Sequence, residues 1–143
     1  MRSPEAGLIT MHIHNSVLTK TSAFFAGALK PEWRPDPKKP LNLEDETLEM
    51  LQLYVQWLYT RTITYEPPPR THNFLYARLY VLGNKFLDPT FQNVVIAAFI
   101  ENVKSSKIYP SNRIVKTIYD GTMPGSPARR LCVDFWTHNG NVN

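Results

Sequence analysis

Only one cysteine, Cys132, occurs in the 143 residues, which excludes an intramolecular disulfide and fits a reducing compartment. No apolar run approaches the roughly 20 residues needed to cross a bilayer. The first stretch, MRSPEAGLITMHIH, lacks the long apolar core of a signal peptide, so the expected setting is intracellular, cytoplasmic or nuclear. Glycine is scarce. The one close pair, Gly121 and Gly125, is interleaved with Pro124 and followed by Pro127, and these prolines remove the N–H donors a phosphate-cradling loop would use. That stretch reads as a turn between helices. Acidic residues are also few in one half: residues 1–70 carry 8 basic and 8 acidic side chains, residues 71–143 carry 8 and 4, so the net charge of +4 lies in the second half. Those cations are scattered at helix-surface spacing. A solvated face explains them better than a nucleic-acid footprint, which needs clustering.

What the chain does have is a strongly apolar stretch, Leu48 to Thr60 (LEMLQLYVQWLYT). Wound as a helix, it places Glu49, Gln52, Gln56 and Thr60 on one narrow arc and apolar side chains round the rest. Such a helix must be buried on several sides. Asp45, Glu46 and Glu49 lie near its start, where the helix dipole favours negative charge. The run Thr62-Ile63-Thr64 and then Pro67-Pro68-Pro69 stop it.

The other elements fall around this one. Leu8 to Ile13 and Leu41-Asn42-Leu43 lean towards short strands. Asn15 or Ser16 is expected to cap a short helix reaching Thr21, and Ser22 a further turn from Ala23 to Leu29. KPEWRPDPKKP, with four prolines, is expected to be an exposed loop. Thr71 is placed as the cap of a helix to about Leu87, and Asp88-Pro89 as the opening of one to about Ser105. Ser111 and Ser126-Pro127 open two more, the first ending at Gly121 and the second carrying Leu131, Cys132, Phe135 and Trp136 inward.

Chemistry is sparse. His12 and His14 are a close pair with no third ligand at metal spacing, so no metal is expected. Cys132 sits among Leu131, Val133 and Phe135, where a buried, inert thiol is expected. Glu44, Asp45, Glu46 and Glu49 read as a helix start, not as an acid–base pair. No cofactor, small-molecule substrate or membrane partner is implied, and the chain is expected not to be an enzyme.

The order of several motifs resembles a BTB/POZ domain. These are His14-Asn15-Ser16-Val17-Leu18, Ser22-Ala23-Phe24-Phe25, Trp33, Leu41-Asn42-Leu43, Tyr54 to Thr60 (YVQWLYT) and Leu79 to Phe86 (LYVLGNKF). Asp88 to Asn93 and Ile118 to Leu131 are similar to the fungal branch of that family. The resemblance covers nearly the whole chain, from His12 to Trp136. It implies an α+β fold in which a mostly helical cluster flanks a small sheet, with additional C-terminal helices. A BTB/POZ-like domain shortened at its N-terminal hairpin would span 8–105, and a helical extension packing on it 106–138.

The implied function is that of a non-catalytic adaptor, a protein–protein interaction module associating with itself or with another protein. Partner contacts are expected at an incomplete sheet edge, Leu8, Ile9, Met11 and Ile13. Phe24, Phe25 and Trp33 are the next choice, with one of the two phenylalanines expected in the core. Members that recruit a cullin ubiquitin-ligase scaffold carry a hydrophobic-x-Glu step; here Leu29-Lys30-Pro31-Glu32 has another spacing and a proline, which argues against that partner. Arg61 stands where the family commonly has glycine. The alternative function is a basic nucleic-acid-associated domain using the charge of residues 71–143.

Overall fold

A computed structural model describes residues 10–36, 38–43, 45–65 and 69–140, apart from the side chains of 69–71, 136 and 138–140. Among the described residues there are seven α-helices and no strand: α1 Asn15–Leu18, α2 Ala23–Ala28, α3 Leu48–Thr60, α4 Pro69–Lys85, α5 Pro89–Ser106, α6 Asn112–Asp120 and α7 Pro127–Gly140. The expected α+β class with a small sheet is therefore corrected to an all-helical architecture. A strand exists only through a ladder with a neighbour, and neither residues 10–13 nor residues 41–43 pair in one; Leu8 and Ile9 of the expected strand lie outside the described residues. At the end of the first segment the His14 N–H goes to the Tyr59 hydroxyl instead (3.1 Å). None of the described helices is long and apolar enough to cross a membrane.

The chain divides into two compact units. The first comprises the residues up to Thr64 together with Phe86–Asp88. Its centre is α3, whose Met50, Leu51, Leu53, Tyr54, Trp57 and Leu58 are buried. Thr47 caps it, accepting the Met50 N–H at 3.3 Å. Arg61 closes it in the left-handed conformation (φ 60°), with its N–H on the Trp57 carbonyl (2.7 Å) and its guanidinium 4.7 Å from the Trp57 ring. A cation over an aromatic face offsets part of the roughly 1–2 kcal/mol that this backbone conformation costs a residue with a Cβ.

Helix α2 is only six residues long and is held at its start from outside. The Ser22 hydroxyl accepts the Phe25 N–H, as expected of a cap, and donates to the Phe86 carbonyl. The Ala23 and Phe24 N–H groups donate to the Leu87 and Phe86 carbonyls at 3.1 and 3.3 Å. Leu87 adopts φ 50°, which is why α4 ends at Lys85 and not at Leu87. Below this turn Asp88, fully buried, accepts from the Thr21 and Tyr54 hydroxyls, both at 2.8 Å. Phe86 packs against Phe25 and Tyr54 at ring-centroid distances of 4.7 and 5.0 Å.

The second unit comprises Tyr65–Lys85 and the residues from Pro89 onward. Helix α4 begins at Pro69, two residues before the expected cap at Thr71; proline is favoured at a first helical position. It packs on α5 and α6, and α6 packs on α7. The α5 side chains Phe91, Val95, Phe99 and Val103, all buried, recur every four residues, one stripe of a helix. Gly121 ends α6 against Val81 of α4, where a Cβ would come within 2.5 Å of Val81 Cγ1. A polar chain runs through this unit: Asn102 donates to Asn73 Oδ1 (2.8 Å), and buried Asn73 donates to the Ile108 carbonyl (2.7 Å).

Candidate functional site

The first unit contains a cleft of about 490 Å³ between residues 10–15 with α1 and the proline-rich loop. Its apolar lining is Met11, Ile13, Leu18, Leu29, Pro40 and Leu41; its polar lining includes His12, His14, Arg34 and Lys38, with no acidic side chain among the described residues. The N-terminal wall is fixed at His14, which is extended (φ −63°, ψ 131°). Its N–H donates to the Tyr59 oxygen, and its Nδ1 lies 2.8 Å from the same oxygen.

The opposite wall is built by consecutive turns. The Trp33 N–H donates to the Lys30 carbonyl and the Arg34 N–H to the Pro31 carbonyl. Asp36 Oδ1 accepts the Lys38 N–H at 3.0 Å, a local turn typical of aspartate. Arg34 Nη2 donates to the Lys39 carbonyl at 2.6 Å, which ties the loop across its base and holds the guanidinium at the cleft. Arg34 Nε is buried and has no hydrogen-bond partner among the described residues.

Of the side chains expected to meet a partner, Met11 and Ile13 are half-buried in this cleft. Leu8 and Ile9 lie outside the described residues. Phe25 is fully buried in the core of the unit, and Phe24 is the partly exposed member of the pair. Trp33 is 78% exposed on the loop, as its charged, proline-rich surroundings suggest. Sequence reasoning missed Arg34, Lys38, Pro40 and Leu41 as parts of a site. The available signal was the excess of basic side chains in that loop, which reads equally well as a solvated turn.

Other groups weighed in the sequence are engaged elsewhere. Burial at Cys132 pushes its thiol up to about 11, which keeps it protonated and unreactive near neutrality. No group of three possible metal-ligating side chains occurs among the described residues. In the second unit Arg113 lies 4.3 Å from the centre of the Phe74 ring, and Arg129 donates to the Thr122 and Tyr119 carbonyls at 2.6 and 2.9 Å. These cations serve internal contacts. Comparison with families of known proteins, with curated proteins and with solved structures returns no match in any of the three.

Proposed function

We propose that the chain is a non-catalytic protein–protein interaction module that works inside the cell and binds a segment of a polypeptide in the cleft beside Met11 and Ile13. The observation that carries this reading is the cleft itself: an apolar lining large enough for a few side chains, next to several convergent polar groups. The BTB/POZ resemblance supports it through its helical motifs, which occur in order as Ser22 to Phe25 in α2, the end of α3, Leu79 to Lys85 in α4 and Asp88-Pro89 at α5. With no sheet edge among the described residues, the cleft takes the place of the edge as the point of contact. The partner is a second copy or a different protein. A cullin scaffold is the weaker choice, because Pro31 interrupts the segment where its contact would lie.

Two measurements test this. Light scattering over a range of concentrations detects self-association, and panning a display library of random peptides detects capture of another chain. Either signal should be lost in Met11→Asp, which places a charge in the cleft lining. A cooperatively folded monomer that enriches no peptide would refute the reading.

A further inference from the structure

We infer that the segment held in this cleft is acidic, with an aspartate or glutamate carboxylate received by Arg34 and apolar neighbours seated on the rest of the lining. The inference rests on the reading of the chain as an interaction module and names the chemistry of its ligand. Arg34 is anchored through Nη2 to the Lys39 carbonyl (2.6 Å), so its guanidinium does not swing freely. Its Nε–H is buried and lacks an acceptor among the described residues. The guanidinium therefore keeps, at the cleft, its charge and the hydrogen-bonding capacity that the loop does not use, and the apolar lining there excludes water from it.

The surroundings select the sign of the acceptor. Lys38 lines the same cleft, and no described acidic side chain lines it to neutralise the two cations. The lining selects carboxylate over phosphate. A guanidinium edge receives either group, but a phosphate would carry nearly two charges into a cleft that is half apolar, where a carboxylate carries one. The apolar lining, with Leu18, Leu29 and Leu41 behind Met11 and Ile13, requires more than a free ion. A peptide carrying leucine-like side chains next to its carboxylate satisfies both.

The test pans random dodecapeptides on the full chain and titrates an enriched peptide by calorimetry against wild type, Arg34→Gln and Lys38→Glu. Enriched peptides should carry aspartate or glutamate beside large apolar residues. Arg34→Gln should weaken binding about ten- to a hundredfold, the loss expected for a hydrogen bond to a charged group. Lys38→Glu, at an exposed side chain, should weaken it more at low salt than at high salt. If Arg34→Gln lowers the melting temperature by itself, the Lys38→Glu result decides. Neutral or basic enriched peptides, or binding indifferent to both substitutions, would overturn the acidic ligand and leave the interaction reading standing. Enrichment of nothing would overturn the acidic ligand, and joined with a monomer at every concentration it would overturn the interaction reading as well. Tighter binding of a phosphoserine peptide than of its glutamate counterpart would overturn the carboxylate assignment.

Discussion

Replacing Tyr54 by phenylalanine removes one oxygen and leaves the ring in place. The Tyr54 hydroxyl donates to Asp88 Oδ2 at 2.8 Å, and both residues are fully buried. Because the acceptor is a carboxylate, the loss should be about 1.5–3 kcal/mol, with no cavity to add to it. The same substitution at Tyr59, whose hydroxyl meets His14 at the exposed surface, should cost less than about 1 kcal/mol. Urea unfolding followed by circular dichroism would give both values, with the denaturant slope unchanged. Alkaline pH adds a second signature. Burial first, and then the Asp88 carboxylate, pushes the Tyr54 phenol above its ordinary value of 10.0. A group whose folded value is raised contributes stability that is complete below its unfolded value and lost as pH rises beyond it. The advantage of wild type over Tyr54→Phe should therefore shrink above pH 10, by about 1.4 kcal/mol per unit. Equal costs at Tyr54 and Tyr59, or a difference independent of pH up to 11, would refute this account of the buried pair.

The same glycine-to-alanine change should have opposite signs at two positions. At Gly27, inside α2 with nothing near the added carbon, it should stabilise by about 0.5–1 kcal/mol; at Gly121, against Val81, it should destabilise by about 1–3 kcal/mol, both read from thermal melts. The Cys132 thiol, raised by burial from 9.0 to about 11, should react with a disulfide reagent at pH 8 only as fast as the chain opens. Prompt stoichiometric labelling of the folded protein would contradict its burial.

The helices were legible wherever a long apolar pattern met a strong terminus. Helix α3 runs over the residues expected, Leu48–Thr60, and α6 and α7 open after Ser111 and Ser126. The cap of α3 is Thr47 and not the acidic run beside it, because a hydroxyl at that position satisfies an N–H that a nearby charge only attracts. The apolar circumference expected of α3 includes Tyr59, yet its ring is 48% exposed and its hydroxyl meets His14. The strands failed for a different reason. Alternation over a few residues states what a segment would do beside a partner and says nothing of whether a partner exists. The cleft was invisible for the same reason, since Arg34 and Met11 meet only through tertiary structure.

The turn Phe86–Asp88 belongs to the first unit, although it joins two helices of the second. On the ribosome, that unit cannot complete itself when Thr64 emerges. It must wait about two dozen residues more for the ring and carboxylate that Phe25 and Tyr54 pack and bond against. At about 5–20 residues per second, that interval is roughly one to five seconds. During it, the apolar face of α3 and the start of α2 are exposed to the nascent chain's surroundings. By the time they are covered, α4 has been synthesised, so the two units are tied into a single order of assembly by three residues.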